Sequence, residues 1–343
     1  MSMKRLVLLL CAVLVLGVAA CGGDDDEGGQ NASANEEQQG TPAGGAGGTV
    51  HIAFSAPAAD HGWLKAISDN AKAEGDELDD VDLTVNDSAA NSAEQADQIE
   101  TLINEKPDVL VILPFEGDAL TPVAEKATAA GIPVINVDRE FSTPGAYRTW
   151  IGGDNYGIGW QAGNYFADQL KCKGNVVEIQ GLAGISVTEL RTKGFSDAIE
   201  QRCKGGIKVV ARQPADFLPD KGLSVMENIL QAHDDIDAVY THDDDMAEGV
   251  VAAIENAGRE DEMFLTGAGG SKAAMDRIEE GGLYRATFLY NPVMSASAIQ
   301  LARLIGHGEG LKELAEPEVP SRIQVPATTV TKENVGELKD LGY

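Results

Sequence analysis

From Thr49 onward the chain alternates short apolar, β-branched runs with longer stretches whose apolar positions recur every three or four residues. Val50–Phe54 and Val81–Val85 read as strands, with helical spacing between them from Trp63 to Leu78 through Leu64, Ile67 and Ala71. Val109–Leu113 is almost wholly apolar, as a strand buried on both faces of a parallel sheet should be. Ala93–Asn104 and Ala119–Ala130 read as helices, the second stopping at Gly131, and Val134–Val137 as the fourth strand. The alternation then restarts. Strands are predicted at 175–179, 207–211, 238–240, 263–265 and 286–289, and helices at 157–171, 188–203, 220–233, 245–257, 272–280 and 293–305. Strand and helix in strict alternation imply right-handed crossovers, hence two doubly wound parallel-sheet α/β lobes joined by a hinge. The expected division is 49–154 plus 291–323 for the first lobe and 155–290 plus 324–343 for the second.

The segment before Thr49 has a different character. Lys4 and Arg5 precede an apolar run from Leu6 to Val18, then Val18-Ala19-Ala20 and Cys21. About thirteen apolar residues are too few to span a bilayer, which takes roughly twenty; they suit a secretory signal over residues 1–20. Cys21 directly after Val-Ala-Ala resembles the bacterial lipoprotein signal, in which that cysteine takes lipid and becomes the new N-terminus. Residues 21–48 carry no large apolar side chain, so they read as a flexible acidic and Gly-rich tether from membrane to folded part. The expectation is an exported protein, lipid-anchored to the outer face of the cytoplasmic membrane.

Charge and cysteines narrow the classes. The formal net charge is −29; without Lys4 and Arg5 it is about −31, which repels nucleic acid and anionic polymers. Of the four cysteines, Cys11 leaves with the signal and Cys21 is the lipid candidate, so Cys172 and Cys203 remain. Neither has a cysteine or histidine neighbour at metal-ligand spacing, and in an oxidising compartment a disulfide between them is expected. No metal or cofactor is called for. None of the five histidines stands in a His-Glu-x-x-His pattern, and no Gly-x-Ser-x-Gly elbow is present, so no enzymatic motif emerges.

Ligands of open α/β sheets bind beyond the carboxyl ends of the strands. The residues there are His61 and Trp63, Asp138 and Arg139, Arg191, Phe217, Asp243, and Tyr290. Carboxylates and guanidinium forks hold adjacent hydroxyls at fixed angles, and aromatic faces cover the C–H side of a sugar ring. Each residue also has a plainer role open to it. Asp138 and Asp243 can cap the following segment, Trp63 and Phe217 can be packing, and Arg191 can be surface. Trp150 and Trp160 read as core.

The order of these residues resembles the periplasmic sugar-binding proteins of the ribose/galactose type, over nearly the whole chain from Thr49. Val137-Asp138-Arg139 is similar to the family's aspartate-arginine clamp, and Gln213-Pro214-Ala215-Asp216-Phe217 to the segment whose phenylalanine covers the ring. Arg191 with Gly194-Phe195 resembles the second family arginine, and Asp243 stands where Asn-Asp-Glu-Met begins. The resemblance implies the type I periplasmic-binding-protein fold, a monomer, a small neutral sugar as ligand, hinge closure, and delivery to an ABC importer permease. Presentation of the ligand to a membrane sensor is the other role it implies. Three departures bear on the ligand. Ala268-Gly269-Gly270 replaces Phe-Asp-Gly, Tyr290 replaces a glutamine, and His61-Gly62-Trp63 is closer to galactofuranose-type members than to ribose binders.

Overall fold

The computed structural model describes residues 48–343. The export signal expected over 1–20, the lipidation candidate Cys21 and nearly all of the tether expected over 21–48 lie outside the described residues. Among the described residues no helix is long and apolar enough to cross a membrane.

The first sheet is built from β1 (Val50–Pro57), β2 (Val81–Ala89), β3 (Val109–Ile112), β4 (Val134–Val137) and β5 (Thr149–Gly153). Helices α1 (Gly62–Glu77), α2 (Ser92–Glu105) and α3 (Gly117–Ala129) link the first four strands. Helix α4 (Asn155–Gln169) then leads into the second sheet: β6 (Gly174–Gln180), β7 (Ile207–Pro214), β8 (Ala238–Thr241), β9 (Phe264–Thr266) and β10 (Tyr284–Phe288). Its connections are α5 (Ser186–Cys203), α6 (Pro219–Ala232), α7 (Asp244–Asn256) and α8 (Lys272–Glu280). The chain returns through α9 (Met294–Gly306) and β11 (Arg322–Val325), then crosses again to β12 (Thr329–Thr331) and α10 (Val335–Leu338).

The two sheets repeat one plan. Their strand orders are β2-β1-β3-β4-β5-β11 and β7-β6-β8-β9-β10-β12, with every pairing parallel except β10 to β12. Both put the reversal of winding beside their first strand, β1 in one and β6 in the other, where doubly wound sheets open a binding crevice. The central strands are buried throughout: β3, β4, β8 and β9 expose nothing. Continuous Val, Ile and Leu are what a strand covered on both faces requires.

The termini of the elements carry their own signals. The Asn91 side chain caps α2 by accepting from Glu94 N, Asp154 caps α4 through Gly157 N, and Ser271 caps α8 through Ala274 N. In the second lobe Phe166, Phe195, Tyr240 and Phe264 form an aromatic layer, with ring centres 4.8 to 6.3 Å apart. Cys172 and Cys203, at the ends of α4 and α5, are joined by a disulfide.

Three details differ from expectation. Gln324 and Val325, expected in the second lobe, pair with Gly152 and Gly153 as part of β11 in the first sheet, so the last crossing falls after Val325. Strands β5, β11 and β12 are not among the expected ones; Thr149-Trp150-Ile151-Gly152-Gly153 ends in two glycines and lacks a clear alternation. Trp150 is core, but Trp160 is only half buried, stacked on Tyr156 along the outer side of α4.

Candidate functional site

The strand tips of both sheets converge on one cavity. His61, Trp63, Asp138, Arg139, Arg191, Phe217, Asp243 and Tyr290 all line it, together with Val187, Ala268 and Gly269. Thus all eight candidates read from the sequence come together at one place. Asp138 and Arg139 enter from the end of β4, and Asp243 from the end of β8 in the other sheet.

Local backbone geometry aims these side chains. Asp138 has φ 63°, a left-handed conformation that aspartate tolerates better than most residues. Its amide donates to Ile151 O and its carbonyl accepts from Trp150 Nε1 at 2.9 Å, so β5 fixes the turn from both sides. Asp216 and Phe217 are both left-handed, with φ 55° and 66°, which turns the Phe217 ring into the cleft. Gly181 makes room for it: a Cβ there would lie 2.0 Å from the ring. Strain of this kind concentrates at ligand sites because surrounding structure must hold it in place.

The cavity wall is a polar network with aromatic faces. Arg139 donates to Phe115 O at 2.6 Å, and its Nε stands 4.0 Å from Asp138 Oδ2. The Tyr290 hydroxyl donates to Asp138 Oδ1 and accepts from Asn155 Nδ2 at 3.1 Å. Trp63 stacks on Tyr290 at 5.3 Å and donates from Nε1 to the Tyr290 carbonyl at 2.7 Å, joining the two lobes. Arg191 lies over the same ring at 4.7 Å, donates from Nε to Asn155 Oδ1 at 2.9 Å, and also holds the His242 carbonyl. His61 from the first lobe stacks on Phe217 from the second at 5.9 Å. The lobes are therefore shut over the cavity.

Burial dominates the electrostatics. It raises the Asp138 carboxyl above the ordinary carboxylate range, against the pull of Arg139. It also lowers the Arg139 guanidinium from its usual value. Asp243 spends one oxygen on α7, accepting from Met246 N at 2.9 Å. Burial, and after it the neighbouring Asp245 charge, push this carboxyl up to about 7. Among the described residues no group of histidine, cysteine and carboxylate side chains could hold a metal ion.

Asn155 was missed by sequence reasoning. It is buried, and it ties Arg191 to Tyr290 at the first residue after the crossing from β5. Its only sequence signal is that position, behind the Asp154 cap.

Residues 52–310 match the periplasmic binding protein domain family. The chain belongs to that family. The ribose import binding protein of Bacillus subtilis (strain 168) is 33% identical over 249 residues, covering 73% of this chain and 78% of that protein. The galactofuranose-binding protein of Escherichia coli (strain K12) is 28% identical over 304 residues, covering 85% of this chain and 92% of that protein. Among solved structures, an ABC transporter solute-binding protein from Bacillus halodurans C-125 with bound myo-inositol superposes with a TM-score of 0.78 at 26% identity. That match covers 86% of this chain and 98% of the other. The relatives are transport binding proteins, and membership in the family implies export from the cytoplasm. The sheet order of each lobe is the type I periplasmic-binding-protein arrangement that the resemblance implied.

Proposed function

We propose that this periplasmic binding protein captures a small neutral sugar or polyol between its lobes and delivers it to an ABC importer permease. One observation carries the reading. A single cavity is walled by carboxylates from opposite sheets, Asp138 and Asp243, by two buried arginines, and by the aromatic side chains of Trp63, Phe217 and Tyr290. Sugar hydroxyls both donate and accept, so such a wall can bond them while the rings cover the C–H face. A ligand that touches both lobes only when they are shut draws the hinge closed by that difference in contacts. The names of the relatives, which concern ribose, galactofuranose and myo-inositol, agree with this class.

The anchor belongs to the same proposal. Cys21 carries the lipid, and the tether after it holds a monomeric binding domain near the permease. Cys21→Ser releases the protein from the membrane fraction; retention there removes the anchor.

Thermal shift against D-ribose, D-allose, D-fructose, L-arabinose, D-galactose, D-fucose, D-apiose, myo-inositol and glycerol tests the ligand class. At least one of them raises the melting temperature of the parent, and Asp138→Ala combined with Asp243→Ala abolishes the rise. A double variant that responds like the parent sinks the site assignment.

A further inference from the structure

Helix α1 starts at the rim of the cleft without a side-chain cap of its own. His61 holds the N-cap position in an extended conformation, but its side chain makes no bond to the first turn. Its Nδ1 faces Asp60 Oδ1 at 2.5 Å instead. The first amides of a helix have no partner within the helix and need one from elsewhere. Here the Trp63 amide donates to Asp245 Oδ2 at 3.0 Å, and Asp245 sits in the first turn of α7 in the other lobe. The Tyr343 hydroxyl donates to the same oxygen at 3.4 Å. Gly62 permits the approach. A Cβ at that position would come within 2.7 Å of Asp245 Oδ1 and 3.1 Å of Oδ2, and its three nearest atoms all belong to Asp245. Asp243 lines the central cavity, whereas Asp245 does not.

We infer that Asp245 is a closing latch: a carboxylate of the second lobe that caps α1 of the first, in a bond that exists only when the lobes are shut. The inference rests on the sugar-cleft reading of the same cavity. An aspartate cap favours the helix N-terminus by hydrogen bonding and by charge against the helix dipole. Supplied from across the hinge, that gain accrues to the closed state alone. It also fixes Trp63, whose ring stacks on Tyr290. Asp245 is thus a positioning residue, which acts through Trp63 and not through the ligand.

The test compares Asp245→Ala, Gly62→Ala and the double variant by calorimetric titration with the tightest-binding sugar of the thermal-shift panel. Each single variant weakens binding about tenfold, or about 1.4 kcal/mol, and leaves the ranking of the sugars unchanged. The double variant also loses about tenfold and not a hundredfold, because cap and clash involve the same carboxylate. A second measurement reads closure directly, as the distance between spin labels on cysteines introduced at the exposed positions Thr101 and Glu227. In the ligand-free protein the closed population falls in each single variant. Parent-like affinity in the single variants, losses that multiply in the double, or a reordered sugar ranking would overturn the latch. If the parent binds none of the sugars, the ligand reading fails, and the latch is judged on the label distances; a distribution unchanged by Asp245→Ala sinks it.

Discussion

Closing an empty cleft should take up a proton, and Asp243, the lining carboxyl that burial and a neighbouring charge raise to about 7, is a group that binds it. Its carboxyl is buried and stands beside Asp245, and these two causes push it up to about 7 from an ordinary 3.8. With the lobes apart the cleft is wet, so the burial cause is lost and the value falls back toward the ordinary one, while Asp245, in the same lobe, stays beside it. The direction of the shift fixes the sign. A carboxyl raised in one state favours that state fully below its lower value and ceases to favour it as pH rises through the higher one. Acid therefore favours the closed, ligand-free form, and the preference fades between pH 4 and 7. The same sign holds for folding, since the unfolded chain also has the ordinary value. Taking 7 and 3.8 as the two limits, moving from pH 8 to 5.5 favours empty closure by up to about 2 kcal/mol, or at most roughly thirtyfold in the closed-to-open ratio. Spin-label distances between Thr101 and Glu227 in ligand-free protein, recorded across this range, measure it. The short-distance population grows as pH falls, and Asp243→Asn, neutral at every pH, reduces the dependence to what Asp138, also raised by burial in this cavity, contributes. Identical distributions at pH 5.5 and 8, or an Asn variant that titrates like the parent, refute the reasoning.

Two further predictions concern the second lobe. The disulfide between Cys172 and Cys203 spans 31 residues; replacing both cysteines with serine should cost about 3–4 kcal/mol on the chain-entropy account, read as a lower denaturant midpoint, and an unchanged midpoint refutes it. Gly194 lets α4 and α5 touch, since a Cβ there would lie 2.1 Å from Tyr156 O and 2.7 Å from Trp160 N. Gly194→Ala should destabilise by about 1–3 kcal/mol and weaken sugar binding by shifting Arg191. Gly336→Ala, with open space around it, stays within about 0.5 kcal/mol of the parent; equal effects of the two replacements would contradict the packing argument.

The parts of this fold legible in the sequence were those where one local pattern decides the outcome. Val109 to Leu113 is apolar without interruption because β3 is covered on both faces, and its shortness and β-branched content mark it as a strand. The same logic exposed the site: a parallel sheet delivers its strand ends to one rim, so the residues just past each strand make up that rim. Asp138, Arg139 and Asp243 could be found that way because each stands within two residues of a strand end. The hidden parts depend on pairings between distant segments. Asn155 matters only because Arg191 and Tyr290 meet on it, residues 36 and 135 positions away. Glu178, in the middle of β6, is a charge in a buried strand whose partners His242, Arg212 and Thr192 come from three other elements. In the sequence Asp243, Asp244 and Asp245 are three adjacent carboxylates with nothing in their chemistry to separate their roles. The three in fact divide the work: Asp243 faces the cavity, Asp244 gathers Gly270 N, Ser271 N, Tyr284 and Thr287, and Asp245 reaches the opposite lobe. Adjacent side chains at a helix start diverge by about 100° each, so three neighbouring carboxylates there point at three different targets. A run of like charge at the mouth of a cleft is for that reason better read position by position than as a patch.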